Sequence, residues 1–577
     1  MQAGGAPGNP FESLLTMNLY NLGLTGINAA TARLNTTGHN INNVDTQGYN
    51  RQQVMVSAVG GSATSAGFYG RGVAVDGVTR QYSSYLHNQL VSARSEQSSY
   101  GSYLNEIGQI NNLIGNSETG ISPALKAFFS SVQAVASESG DAAARQEMIG
   151  QANSLVTQIN QTQEMLNRQR DEINIQLRTT VEQINSYVDG IASLNERITL
   201  AKASSAPGQE PNDLLDQRDQ LVSELNQLVG VRVIAQGSSI NLTVGNGQVL
   251  LSGNQSYPLQ AVTSASDPGR TVIAYALPVE GGGSTLVELD ESRLSGGSLG
   301  GLLAFRRESL DSVQNDLGRL ALGLAQAFNA QHRQGVDLNG QAGGDFFRIA
   351  DPVTHASVGN QGSASAGGNA GVSAAVKDIQ ALHASDYRIS YHAASGKYEV
   401  QRLADGVTRS FDGDAGTIEL DGLSVALPDA TQPGAVAHGD SWLLQPTMNA
   451  AASLAVAVDN PAQIAAADAS GGSSNNANAL KLAQLQTDKV MGQGSLSISD
   501  TYLQIVNKVG VKTGEVTTAS KAQDNLVTQR LTAQQAVSGV SLREEQVALM
   551  QYAEQYQASA RLIDVASQMF DTLLSIK

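Results

Sequence analysis

The chain has 577 residues, no cysteine, and 35 basic against 52 acidic residues, for a formal net charge of −17. That length leaves room for several domains with substantial cores. The missing cysteines exclude disulfides, thiolate zinc sites and thiol catalysis, and the acidic balance argues against nucleic acid or an anionic membrane surface as the main partner.

Gly4, Gly5, Pro7 and Pro10 interrupt the first residues, so 1–16 read as a disordered extension and Met17 as the natural start of the fold. No basic stretch followed by an apolar one is present there, so no cleavable secretory signal is expected. No run of 18 apolar residues occurs anywhere, which excludes membrane insertion as a helix.

From Asn18 to Val44, steps of three and four give Tyr20, Gly23, Ile27, Ala30, Leu34, Thr37, Ile41 and Val44, an apolar seam on one helix. Asp45 to Arg80 is glycine-rich with a period of two, and reads as short strands and turns. Helical periodicity returns from Gln81 to Asn112. It is strongest from Asp141 to Lys202, where no proline occurs and Ile159, Leu166, Ile173, Tyr187 and Leu194 share one ladder. Pro207, Gly208 and Pro211 break that pattern before a returning helix over Asn212–Leu228, which predicts an antiparallel helical rod.

The period switches to two at Val231, and strands are expected as far as Glu291. A helix over Leu299–Gln334 precedes a second β region from Asp345 to Leu444, and the tract Ser470–Asn476 reads as a loop. Helix is predicted again from Ser497 to Gln535 and on to the C-terminus. There Leu542, Leu549, Tyr556, Ile563 and Phe570 fall seven apart, interleaved with Tyr552, Ala566 and Leu573.

The pattern predicts an α+β multidomain protein. Its N- and C-terminal helices pair into a coiled-coil-like stem and rod, with β-rich domains inserted in the middle of the chain. The expected parts are a terminal helical domain of 17–60 with 536–577, and a helical rod of 61–230 with 299–335 and 497–535. A first β-rich segment covers 231–298 and a second, outer β region covers 336–496.

No chemistry-bearing constellation emerges. The seven histidines lack metal-ligand spacing. The run from Asp337 mimics the start of a calcium loop, but its twelfth position is Arg348, so a turn is expected. Asp213, Asp216 and Asp219 share one helix and read as an acidic solvated face. No metal, cofactor or catalytic residue is therefore assigned.

The segment from Gly26 to Arg51 contains Asn40-Ile41-Asn42-Asn43 followed by Thr46-Gln47-Gly48-Tyr49. This resembles the N-terminal motif of the bacterial flagellar axial family of rod, hook and hook-associated proteins, with Asn40, Ile41, Asn43, Thr46, Gly48 and Tyr49 on the matching positions. Ser538-Gly539-Val540-Ser541, Glu544-Glu545, Tyr552, Tyr556 and Ala558-Ser559-Ala560 are similar to the C-terminus of its hook-associated junction members. So is the internal stretch Gly335–Gly340 with Gly343-Gly344-Asp345-Phe346-Phe347.

The resemblance implies a non-enzymatic structural protein, exported unfolded through the flagellar apparatus to the extracellular hook–filament junction. Its partners would be the hook protein, the second hook-associated junction protein, further copies of itself in a ring at the hook tip, and a cytoplasmic export chaperone bound within 536–577. Ile27, Leu34, Ile41, Leu542, Leu549, Tyr552, Tyr556, Ile563, Ala566, Phe570 and Leu573 would then be subunit-packing residues. The alternatives are the hook protein itself, or an adhesin or secreted enzyme carried on the same axial scaffold.

Overall fold

The computed structural model describes residues 10–64, 67–115, 120–205, 209–245, 247–279, 283–368 and 371–575. Helix α1 (Pro10–Asn42) begins inside the stretch read as a disordered extension, so 10–16 continue the helix; residues 1–9 lie outside the described set. Strands β1 (Gln52–Ala58), β2 (Ser62–Thr64), β3 (Gly67–Tyr69) and β4 (Val73–Arg80) make one antiparallel hairpin arm. The pairs are β1–β4, with a bulge between Met55 and Val56, and β2–β3 beyond it.

Four helices follow: α2 (Ser84–Ile114), α3 (Ile121–Ser137), α4 (Ala142–Ser204) and α5 (Asn212–Leu228). The expected bounds of α4 and α5 hold to within two residues, because their ladders, mostly Leu, Ile and Val, are long. Helix α3 was not expected from the sequence, although Ile121, Leu125, Phe128, Phe129 and Val132 are all buried.

Strands β5 (Val231–Gln236), β6 (Ser239–Val244), β7 (Gln248–Ser252) and β8 (Gln255–Ser256) form a four-stranded meander. A separate three-stranded sheet of order β11-β10-β9 uses β9 (Leu259–Thr263), β10 (Thr271–Val279) and β11 (Gly283–Glu288). Helix α6 (Gly297–Phe305) passes through one π-helical turn, Arg306–Leu310, into α7 (Asp311–His332). The second β region supplies β12 (Phe347–Arg348), β13 (Val353–Ala356), β14 (Ser373–Val376), β15 (Tyr387–His392), β16 (Lys397–Arg402) and β17 (Thr408–Asp412). It continues with β18 (Thr417–Leu420), β19 (Leu423–Ala426), β20 (Ser441–Gln445) and, after helix α8 (Ala450–Ser453), β21 (Ala455–Val456). These build a five-stranded sheet of order β13-β20-β15-β16-β17, a three-stranded sheet β14-β19-β18 and the pair β12–β21. Helices α9 (Ala477–Gln484), α10 (Ile498–Ser538) and α11 (Leu542–Ser575) complete the chain.

Two compact units result: 1–97 with 183–258 and 522–577, and 98–182 with 259–521. The strands of 231–298 are therefore shared, β5–β8 in the first unit and β9–β11 in the second. In the first unit Leu194, Ile198 and Leu215 join α4 to α5. In the second, Tyr387, Ile389, Tyr398, Val400, Trp442 and Leu444 form the core of the five-stranded sheet.

The internal Gly343–Phe347 stretch belongs to the second unit and has a structural role. Phe346 and Phe347 pack with Phe128 and Phe328, and both of their N–H groups donate to Asn329 Oδ1 at 2.9 Å. The fully buried His332 sits between Gly344 O, 2.8 Å from Nδ1, and the Ala465 N–H, 2.9 Å from Nε2. Asp337 closes a turn, as its spacing implies, accepting from the N–H groups of Asn339 and Gln341 at 2.8 Å. No helix is long and apolar enough to cross a membrane among the described residues.

Candidate assembly site in the terminal helices

Helices α1 and α11 lie against each other in antiparallel register, since Gly23 meets Ser559 and Ile563, Arg33 meets Gln555, and Asn40 meets Glu545. The contact face differs in chemistry from the one expected. On α1 it consists of Gly23, Gly26, Ala30, Arg33, Thr37 and Asn40. On α11 the buried ladder is Glu545, Ser559 and Ala566, with the half-buried Tyr552 on the same seven-residue spacing. A Cβ on Gly23 would lie 2.6 Å from Ile563 Cγ1, so the glycine is what lets the helices close at this crossing. Farther along, Arg33 Nη1 donates to Gln555 Oε1 at 3.0 Å while its guanidinium lies 5.3 Å from the Tyr552 ring centroid.

The predicted packing residues therefore separate. Ile563, Tyr552 and Ala566 belong to the intrachain seam. Ile27, Leu34 and Ile41 are half-buried on its flank. Leu542, Leu549, Tyr556 and Phe570 are 45%, 40%, 41% and 52% exposed, and Leu562 and Met569 are bare alongside them. The Leu573 side chain lies outside the described set.

The N-terminal motif forms the hub at the end of this pair. Asn40 is 2% exposed. Its Nδ2 donates to Gln52 O at 2.9 Å and to Glu545 Oε2 at 3.1 Å, and its Oδ1 accepts from Tyr49 OH at 2.7 Å and from the Gln52 N–H at 2.9 Å. Asn43 Nδ2 donates to His39 O at 3.0 Å, and Thr46 Oγ1 to Asn43 Oδ1 at 3.1 Å, which ends the helix in a compact turn. Gly48 takes φ +81°, the left-handed region where a side chain is strained. Ile41 is half-buried in the last turn of α1. Arg51 then clamps α11, with Nε 2.7 Å from Glu545 Oε1 and Nη1 3.0 Å from Glu544 Oε2.

Of the three aspartates of α5 only Asp213 faces solvent; Asp216 and Asp219 are turned inward. Asp216 is 5% exposed and accepts from the Asn50 N–H at 2.9 Å, Asn50 Nδ2 at 2.6 Å and Arg80 Nη1 at 2.7 Å. Arg80 also reaches Asp219 at 2.9 Å, and Asp213 Oδ1 accepts from Gln52 Nε2 at 2.8 Å. Burial raises the Asp216 pKa despite these donors. Burial, and behind it the charges of Asp213, Asp216 and Glu545, also pushes the Tyr49 phenol well above its usual range. Sequence spacing missed this network because its anchors, Asn50 and Arg80, lie 166 and 136 positions from Asp216. No group of metal-ligating side chains occurs among the described residues.

This arrangement offers packing and hydrogen bonding. Comparison with known proteins places it. Residues 107–347 match the model of the flagellar hook-associated protein FlgK helical domain, 361–446 that of the flagellar hook-associated protein 1 D2-like domain, and 533–576 that of the flagellar basal body rod FlgEFG protein C-terminal. Flagellar hook-associated protein 1 of Salmonella typhimurium is 40% identical over 97% of this chain and 100% of its own length. The chain belongs to the flagellar hook-associated protein 1 family. Its Escherichia coli K12 relative of the same name is 38% identical over 97% of this chain and all of that one. The solved flagellar hook junction protein FlgK from Burkholderia pseudomallei superposes with a TM-score of 0.70 at 28% identity, covering 78% of this chain and 100% of its own. The resemblance read from the terminal motifs holds over 97% of the chain, and its α+β architecture has a structural neighbour in that junction protein.

Proposed function

We propose that this chain is a structural, non-catalytic subunit of the bacterial flagellum, joining hook to filament outside the cell. Copies pack side by side in a ring at the hook tip, in contact with the hook protein on one side and the second junction protein on the other. The observation that carries this reading is the apolar stripe of α11. Four large side chains of one seven-residue ladder, Leu542, Leu549, Tyr556 and Phe570, stay exposed, while its fifth member Ile563 turns into a seam made mostly of small and polar residues; large exposed apolar faces mark protein interfaces. A cytoplasmic chaperone covering 536–577 before export fits the same stripe.

Immunolabelled electron microscopy of isolated hook–basal bodies tests the assignment: label is expected at the distal end of the hook in filament-less particles. Label along the whole hook would favour the hook protein instead. A variant with Phe570→Asp is expected to be exported but absent from hook tips, whereas Gln568→Asp, at an exposed polar position, assembles. Normal junctions with Phe570→Asp would put the interface elsewhere.

A further inference from the structure

A cleft of about 330 Å³ opens on the first unit, walled by the motif turn at 44–50, α2, α5 and the last turns of α10. Two basic side chains enter it from α2: His87, held toward its neutral form by burial, and the charged Arg94. His87 and Arg94 are seven residues apart, two turns along one helix face. Neither side chain has a hydrogen-bond or ion-pair partner among the described residues, although Arg94 is half-buried. Across the cleft Ser223, 3% exposed, holds a hydroxyl without a partner among the described residues. Asp219 acts on His87, but no acid already present serves Arg94. Asp219 is bound by Arg80 at 2.9 Å, and Asp45 is exposed and forms no ion pair with Arg94.

A guanidinium drawn partly out of water without a counter-charge has given up hydration for nothing in return. Burial alone acts on Arg94, lowering its pKa, whereas the two carboxylates on Arg80 raise that residue's pKa. The group that fits is planar, anionic and offers two acceptors, because two guanidinium N–H bonds can then run parallel to it. A carboxylate meets that description, and the Ser223 hydroxyl can donate to the same group. The chain itself is rich in candidates, with 52 acidic against 35 basic residues. Three of them, Glu554, Asp564 and Asp571, are exposed and unpaired among the described residues, on α11 beside its bare apolar stripe.

We propose that this cleft receives a carboxylate from α11 of a second copy of the chain, gripped by the fork of Arg94 with Ser223 as a further donor. The inference deepens the assembly reading and rests on it. It assigns the motif turn a second task. Besides ending α1 and tying it to α11, the turn forms one wall of the receptor for the neighbouring subunit.

The test uses full-length chains expressed in a flagellated host lacking its own copy. Junction occupancy is counted in isolated hook–basal bodies, with the melting temperature and secretion of each monomer as controls. Arg94→Gln is expected to fold and be secreted as the parent is, yet to lower occupancy at least tenfold. Arg94→Lys, which keeps the charge without the fork, should restore only part of it. A benzoylphenylalanine photo-crosslinker in place of Gln535, an exposed residue lining the cleft, should trap an α11 peptide of a second copy, and lose that product in the Arg94→Gln background. Parental occupancy with Arg94→Gln, or a crosslink to the hook protein or to any other segment, overturns the proposal. If the unmodified chain itself is missing from hook tips, the assembly reading falls first and takes this inference with it.

Discussion

Gly23 offers the sharpest test of the α1–α11 seam. In an open helix, Gly→Ala stabilises by about 1 kcal/mol, because alanine loses less backbone entropy. At Gly23 the new Cβ would stand 2.6 Å from Ile563 Cγ1 and 2.9 Å from the carbonyl oxygen of Ser559. The isoleucine can turn aside, but the carbonyl moves only with its helix, so the pair must separate by some tenths of an ångström. Overpacking of that kind costs about 1–3 kcal/mol. Against the propensity gain, the net effect runs from about 0 to 2 kcal/mol of destabilisation. Gly38, on the same helix with nothing within 4 Å of its Cβ position, supplies the control and should gain the full propensity term. Hydrogen exchange of α1 peptides reads both, since local opening free energies set the rates. Gly23→Ala should leave exchange unchanged or faster by up to about thirtyfold, a range that 2 kcal/mol spans, while Gly38→Ala slows it. Adding Ile563→Ala should recover only part of the loss, because the Ser559 carbonyl remains. Equal protection by Gly23→Ala and Gly38→Ala would refute the close crossing.

Three further outcomes follow from buried polar groups. Asn40→Ala leaves the Gln52 backbone, Tyr49 OH and Glu545 without their shared partner, and should cost about 2–4 kcal/mol in urea unfolding; a loss below about 0.5 kcal/mol would remove the hub. Arg145, 1% exposed, donates from Nε to Ser139 O at 2.6 Å and from Nη1 to Ile464 O at 2.7 Å, so Arg145→Met should cost about 2–4 kcal/mol by calorimetry, and near-neutral behaviour would contradict it. Asp386 has a carboxyl pushed up to about 7 by burial first and by Asp311 second, with Oδ1 lacking any partner. Its neutral form is favoured in the fold, so its contribution is greatest below the unfolded value near 3.8 and declines as pH rises through 7, by on the order of 4 kcal/mol. Asp386→Asn should flatten the melting temperature between pH 5 and 8 and raise it at pH 8; an unchanged slope would refute the assignment.

Long ladders made the helices legible. From Ile159 to Ile198 the core of α4 is mostly Leu, Ile and Val, broken only by buried polar or small residues such as Gln163, Thr180 and Asn195, and the bounds of α4 and α5 could be read from those ladders. The β segments were legible as β but not as sheets, because a period of two marks strands and says nothing of which strands pair. Helix α3 escaped although its apolar face is strong and Gly120, Pro123 and Gly140 punctuate its two ends. At the candidate site the apolar ladder of α11 was visible and the contact face only in part: Gly23, Ala30 and Thr37 lay on the seam read for α1, whereas Gly26, Arg33 and Asn40 did not. Glu545 and Ser559 are hidden by their polarity, and Gly26 acts by what it lacks. Asp216 and Asp219 failed for the opposite reason: their spacing looked like a surface, and only the fold supplies Asn50 and Arg80.

That division of labour between two faces of one helix is itself informative. A seam of leucines would hold α1 to α11 by area alone and tolerate slippage by a heptad. A seam of glycine, alanine and serine, closed by Arg33–Gln555 and Asn40–Glu545, gains little area but fixes the register, because a shifted pairing would bury Glu545 without Asn40 and Arg51. The large apolar side chains of α11, Leu549, Tyr556 and Phe570 among them, are then left for contacts outside the chain. Within the subunit, polar groups specify the pairing; across the proposed interface, apolar area supplies the affinity. A protein whose terminal helices served only its own core would place those two kinds of residue the other way round.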